Sequence, residues 1–361
     1  MKKNVLLAAL VMLIASCTIK EEIKTYPFYI GTYTDGDSEG IYHGVFNGDG
    51  SFDSLQLVAE SPNPSFLAYA NNRQSLIAVG ELDIEGTGTV ESYKVSVNKL
   101  TPVSTSISGG AHPCHVSVNS KGDVLMANYS GGNVGYVKLS ESGQLSDLLA
   151  TGQHSGQGPT ARQTKPHAHS AWFMNDSAIV AVDLGIDQLL FYQLKNNQLT
   201  IVDSLKLAAG AGPRHLAMHP QKEVMYVINE LNSTVTVVSK SENKWVTGQT
   251  ITTLPEGFKG DNYCADIHVS QDARFLYASN RGHNSLAIYQ LDATGLAIKP
   301  IGHETVRGEW PRNFSLTPDG EFIIVANQHS NNLVAFKRDS QSGLLSFVSE
   351  VKAFSPVCVL F

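Results

Sequence analysis

The chain of 361 residues contains no cluster of lysine and arginine, and its formal net charge is −7. Proteins that hold nucleic acid concentrate basic residues on one face or in one run, so no nucleic-acid partner is expected. There is no Cys-x-x-Cys pair either, the spacing used by zinc and dithiol redox sites. Setting Cys17 aside leaves Cys114, Cys264 and Cys358. Three thiols cannot all pair within one chain, so they are read as interior residues packed as small apolar groups. The apolar run from Val5 to Ala15 is too short to span a bilayer core, which needs about 20 residues.

That run does have a recognisable context. Lys2 and Lys3 precede it, and Ile14-Ala15-Ser16-Cys17 follows, the layout of a secretory signal. The last four residues resemble the lipobox of bacterial lipoproteins. The expectation is a signal peptide over residues 1–16, a lipidated Cys17 opening a tether over 17–26, and an exported protein held in the bacterial cell envelope by that lipid alone. An ordinary cleaved signal with an incidental cysteine is the plainer alternative.

The remaining residues, about 340, exceed what one small core usually holds, which implies two domains or one large domain built from repeats. Repeats decide the matter. Leu125-Met-Ala-Asn128, Ile179-Val-Ala-Val-Asp183, Met225-Tyr-Val-Ile-Asn229, Phe275-Leu-Tyr-Ala-Ser-Asn280 and Phe322-Ile-Ile-Val-Ala-Asn327 each end an apolar run on Asn or Asp. Six residues beyond each polar end stands an apolar residue: Val134, Leu189, Val235, Leu286 and Leu333. Two earlier copies, ending at Gly31 and Gly80, fit with a longer loop, leading to Ile41 and Val90. The seven anchors recur at intervals of about 49 residues, near the 40 to 50 of propeller blades. An opening strand precedes most of them, as at Pro64-Ser-Phe, Pro113-Cys-His, Pro213-Arg-His and Pro311-Arg-Asn, with variants at His167-Ala-His and Ala265-Asp-Ile. Turn signatures such as Thr317-Pro-Asp-Gly320 separate the two strands, and stretches such as Leu345-Ser-Phe-Val-Ser supply an outer fourth.

Ser355-Pro-Val-Cys-Val359 matches an opening strand with nothing after it, while Pro27-Phe-Tyr-Ile begins as a second strand with nothing before it. Joined, they complete one blade and remove an exposed sheet edge. The expected fold is therefore all-β: a seven-bladed β-propeller over residues 27–361 with four-stranded blades, the first closed by N- and C-terminal strands. An open β-sandwich would leave the complementary half-blades without a purpose.

In a propeller the opening strands line a central channel, so polar residues at their starts, or just after the second strand, converge from different blades. His115, His167, His169, Arg214, His215, Arg312 and Asn313 hold the first position, and Glu81, Glu230, Arg281, His283 and His329 the second. Arg214, Arg281 and Arg312 are three of only eight arginines in the chain, and the guanidinium fork suits a carboxylate or phosphate. A structural lattice of arginine and carboxylate is the bland reading of the same three. Glu230, His167 and His169 are candidate general bases, although a strand-end histidine more often serves a hydrogen bond. Together these groups suit water attack on an ester carbonyl, with arginine stabilising the oxyanion.

At these residues the chain resembles the seven-bladed propeller lactonases, which include bacterial 6-phosphogluconolactonases of the propeller type and carboxy-cis,cis-muconate cyclases. The matching stretches are Tyr29-Ile-Gly-Thr-Tyr33, His112-Pro-Cys-His115, Pro166-His-Ala-His169, Gly212-Pro-Arg-His-Leu216, Asn229-Glu230, Ser279-Asn-Arg-Gly282 and Trp310-Pro-Arg-Asn-Phe314. They run in order through nearly the whole mature chain. The resemblance implies hydrolysis of a small-molecule lactone without a cofactor or metal. It implies a catalytic set of His169, Arg214, Glu230 and Arg281, with His167 and Arg312 as second members. His115, His167, His215, His283 and Arg312 are the expected substrate-binding residues. One departure concerns compartment, since relatives acting on 6-phosphogluconolactone serve a cytoplasmic pathway and this chain carries an export signal.

Two other functions compete. A non-catalytic envelope propeller would keep the channel residues to capture an anionic ligand or partner; a carboxylate beside arginines leans against it, though a carboxylate can also hold arginines in place. A metal-assisted lactonase would use His167, His169, Asp183 and Glu230 as ligands, but no tight set completes such a site.

Overall fold

In the computed structural model, which describes residues 23–97 and 99–361, the described chain forms 28 β-strands in seven four-stranded antiparallel sheets. Six of the sheets are meanders of four consecutive strands. The innermost strands, Leu67–Ala70, Pro113–Val118, Ala168–Phe173, Pro213–Met218, Tyr263–Val269, Pro311–Leu316 and Pro356–Leu360, touch their neighbours around a closed ring. This is the expected seven-bladed propeller.

The closing blade takes its innermost strand from one end of the chain and its other three from the opposite end. Pairing runs Tyr29↔Leu360, Ile30↔Val359, Gly31↔Cys358 and Thr32↔Pro356, so no open edge faces the channel. Gly31 is required there: a Cβ would stand 2.3 Å from the Pro64 carbonyl oxygen. The first strand, Thr25–Thr32, starts two residues before the expected boundary at 27, and Tyr26 is already buried and donates to Asp319 at 2.6 Å. Two residues assigned to the tether thus belong to the blade. Cys17 and the signal peptide lie outside the described residues.

Seven apolar clusters hold the ring, one between each pair of adjacent sheets. The second strands are the most enclosed: Asp123–Asn128, Val224–Asn229 and Phe322–Asn327 are buried at every position. Their repeated terminal amides explain themselves. Nδ2 of Asn128, Asn280 and Asn327 donates to the carbonyls of Ser108, Thr253 and Val306 at 3.0, 2.8 and 3.1 Å, pinning each blade to the segment arriving from the one before. Buried backbone carbonyls need such partners.

Candidate active site

The sequence repeat fixes the site through a local irregularity. In four blades the inner strand loses register with its neighbour just after its first residue, between Pro113 and His115, Ala168 and Ser170, Pro213 and His215, and Pro311 and Asn313. A bulge leaves one residue without an opposite number and re-aims its side chain. Those residues are Cys114, His169, Arg214 and Arg312. A second set comes from the position after four of the seven repeat anchors: Glu81, Tyr129, Glu230 and Arg281.

The two sets meet at one mouth of the channel, around a cavity of about 390 Å³. Its charged wall consists of Arg162, Arg281, Arg312, Glu81 and Glu230, and His169, Cys114, Tyr129, Tyr263 and Trp310 complete it. Arg214 lies directly beneath, with Nε 3.3 Å from Glu230 Oε2. That approach is an ion pair without hydrogen-bond alignment, since Nε is left as an unpaired buried donor.

Glu230 is the electrostatic centre. Oε2 accepts from Arg281 Nη2 at 2.7 Å, and Oε1 accepts from Arg162 Nη2 at 3.1 Å. Burial opposes the carboxylate charge, yet Arg281, Arg214 and Arg162 outweigh it and hold the pKa at about 2. Burial, then the charges of Arg281 and Arg312, push the Arg214 pKa down; a guanidinium remains charged at neutral pH regardless. Arg281 is oriented by carbonyls, donating from Nε to Tyr263 and from Nη2 to Cys264, and it packs over Trp310. Nη1 of Arg281 has no hydrogen bond among the described residues.

Arg312 differs from the other three. Its Nη2 donates to the Tyr33 hydroxyl at 2.7 Å, and among the described residues it forms no ion pair. Burial works against its charge, but Tyr33, Glu81 and Glu230 reverse the balance and raise its pKa. It is therefore a firmly charged group with donors to spare.

His169 sits with Nδ1 3.5 Å from Cys114 Sγ. Burial first, then Arg214, His215 and Arg312, push its pKa well below the ordinary 6.5, so the imidazole is neutral. Burial likewise raises the Cys114 thiol pKa, and the cysteine read as interior packing proves to be cavity wall as well. All three described cysteines are buried and unpaired.

The expected substrate-binding residues divide. Arg312 lines the cavity, and His167 stands at its rim, stacked on Tyr129 with ring centroids 4.4 Å apart. His115 and His215 form a layer beneath: His115 is packed between Phe66 and Trp172, and His215 Nδ1 meets Asp266 at 2.9 Å while Nε2 faces Arg214. His283 stands apart, bonded to Ser285 with its ring against Phe258. The four metal-ligand candidates do not converge. Asp183 is engaged by His154 and the amides of His167 and Gly185, His167 Nδ1 faces the Tyr129 carbonyl, and no group of three or more acidic, His or Cys residues among those described is arranged to hold a metal.

Arg162, Tyr129, Tyr263 and Trp310 were not anticipated. Arg162 lies in a loop, away from any strand start, and reaches Glu230 and the Tyr129 hydroxyl from there. The sequence places Glu81 among the converging residues but assigns it no role.

Comparison with known proteins identifies the family. A family model described as lactonase, 7-bladed β-propeller, matches residues 27–361. The chain is 37% identical over 346 residues to a Bacillus subtilis protein named 6-phosphogluconolactonase, covering 93% of this chain and 98% of that one. A Formosa agariphila protein of the same name is 32% identical, with 88% and 94% covered. Among solved structures, one described as a periplasmic gluconolactonase of Pseudomonas aeruginosa superposes with a TM-score of 0.88 at 31% identity, covering 93% and 98%. A putative 6-phosphogluconolactonase of Bacteroides uniformis gives 0.87 at 32%, covering 93% and 99%.

Proposed function

The chain belongs to the seven-bladed β-propeller lactonases, and from that premise we propose that it hydrolyses a sugar lactone or a related lactone bearing a negative charge. One observation carries the reading: four guanidinium groups surround or underlie one cavity, three of them are drawn to Glu230, and the fourth, Arg312, keeps its charge without a carboxylate partner. A partly enclosed cationic group with unused donors selects an anion. The free Nη1 of Arg281 suits the carbonyl oxygen, where charge accumulates as water adds, and a fixed donor in a water-poor site stabilises that charge without reorganising.

The unphosphorylated class is favoured by location. Export and lipid attachment at Cys17 are part of the proposal, supported by the signal and lipobox pattern and by the periplasmic description of the Pseudomonas neighbour. For an exported enzyme the proposed substrate is therefore an unphosphorylated lactone that still carries a charge, such as a uronic lactone whose free carboxylate Arg312 would seat.

The test is a pH-monitored hydrolysis screen of the mature protein with phosphorylated, uronic, aldonic and muconic lactones. Hydrolysis of at least one at an enzymatic rate is expected. No hydrolysis of any, together with tight binding of the corresponding acids, would instead establish a ligand-capture propeller. Membrane fractionation of wild type and Cys17→Ser tests the anchor: release of the variant supports it, and unchanged partitioning removes it.

A further inference from the structure

We infer that Glu81, and not Glu230, is the base that activates the attacking water; the inference rests on the lactonase reading above. The two carboxylates share one cavity but have opposite surroundings. Both oxygens of Glu230 are occupied by guanidinium groups, and its pKa of about 2 makes it a poor proton acceptor. A general base needs a lone pair aimed at water and a basicity near the working pH. Glu230 has neither, and serves to hold Arg281, Arg214 and Arg162 in register.

Glu81 differs in geometry, with one carboxylate oxygen held and the other left free. Its Oε2 accepts from the Tyr33 hydroxyl at 2.9 Å and from Ser65, which fixes the plane of the carboxylate. Oε1 has no hydrogen bond among the described residues, and the side chain lines the cavity. The backbone is fixed as carefully. The hairpin of Ser75–Ile84 and Thr87–Ser96 shifts register between Gly80 and Ile84, the bulge that turns Glu81 inward. Glu81 N donates to the Asn63 carbonyl at 3.0 Å, and Asn63 Oδ1 accepts from Thr34 N at 2.8 Å. One asparagine therefore sets both Glu81 and the turn carrying Tyr33. Through Tyr33, which also accepts from Arg312, the base is tied to the group that seats the substrate's anion.

The step balances without a further reactant. Oε1 takes a proton from water as the water oxygen bonds to the lactone carbonyl carbon, and the carbonyl π pair moves onto oxygen beside the guanidinium groups. When the carbonyl re-forms, the ring C–O bond breaks, and the departing oxygen takes the proton back from Glu81. The open hydroxy acid then releases its carboxyl proton to solvent.

The experiment compares Glu81→Gln, Glu81→Ala and Glu230→Gln with wild type on the best lactone of the screen, recording kcat, KM, thermal unfolding and rescue by added formate. Expected for Glu81→Gln is a fall in kcat of roughly 100- to 10,000-fold, the range for loss of a positioned base, with KM and unfolding midpoint little changed. Formate should restore part of the turnover of Glu81→Ala, because a small carboxylate can occupy the vacated space. A Glu81→Gln variant with kcat within about 10-fold of wild type overturns the assignment; so does a loss that formate does not touch and that accompanies a lower unfolding midpoint. In both cases wild-type activity leaves the lactonase reading standing. A wild type inert toward every lactone overturns that reading and the base together.

Discussion

The same inner strands end in two recesses of nearly equal size, about 390 Å³ at one mouth and about 410 Å³ at the other. The first is walled by three arginines and two glutamates. The second is lined by residues such as Tyr69, Val118, Trp172, Phe173 and Leu360, with no arginine, lysine or carboxylate among its described lining. Between them His115, His215 and Asp266 pack together, and the cavity beside His215, Arg214 and Asn313 holds only about 10 Å³. Volume therefore does not distinguish a working mouth from a packing recess. Charge that lacks a carboxylate partner does: burying it costs several kcal/mol unless something compensates, and in the proposed function an anionic ligand supplies that compensation.

The largest expected contrast comes from removing that compensation at its centre. Glu230→Ala leaves Arg281 and Arg214 buried without a counter-charge, and should destabilise the fold by about 3–5 kcal/mol in denaturant unfolding. A half-buried aromatic at the other mouth carries no charge, so Trp172→Phe should cost far less, roughly 1 kcal/mol, the usual size for a substitution that strands no buried charge. Equal losses would erase the distinction. Next in size is Arg281→Met, which should lower turnover by roughly 100-fold or more as an oxyanion donor is lost, while Phe173→Ala at the far recess leaves kcat unchanged. Arg312→Met should raise KM for a charged lactone about 10- to 100-fold, the value of one or two charge-assisted hydrogen bonds, and leave an uncharged lactone unaffected. An equal change for both would show that Arg312 does not read the substrate's charge.

The ring was legible in the chain because five of the seven units repeat a buried strand ending in an amide or carboxylate, and Asn128, Asn280 and Asn327 do the same structural work. Blade closure was legible because the terminal half-units are complementary. The site was legible only as a set of positions. Nothing in Pro113-Cys-His115 announces the bulge that turns Cys114 into the cavity and leaves His115 in the layer below. Sequence position also could not divide the roles of Glu81 and Glu230, since both follow a repeat anchor. The difference lies in partners brought by distant segments, Arg162 to Glu230 and Tyr33 to Glu81. His283 shows the converse: it holds a converging position, but its ring turns away toward Phe258.

The smallest effect separates the polar mouth from the apolar one through acid stability. Burial first, then Arg214, lowers the His215 pKa from 6.5 to about 4, even though Asp266 works the other way. The unfolded chain thus binds a proton below pH 6.5 that the folded chain refuses. Stability from the neutral imidazole is complete above that value and declines as pH falls toward 4. Glu230 adds a second, lower window: its carboxylate, depressed from 4.5 to about 2, contributes fully above 4.5 and is lost as pH falls through 2. Wild type should therefore weaken in two stages on acidification; burial pushes His115 and His169 below 6.5 as well, so His215→Asn should make the first stage shallower by one imidazole's share while keeping the second. At pH 5.5 the difference in pH-dependent loss between the two proteins is on the order of 1 kcal/mol, measurable by denaturant titration referenced to each protein at pH 8. A variant at the other mouth, such as Phe173→Ala, should shift the whole curve without changing its slope. If His215→Asn keeps the wild-type slope between pH 6.5 and 4, the buried imidazole titrates as it does in the unfolded chain, and the layer beneath the cavity is open to protons and water.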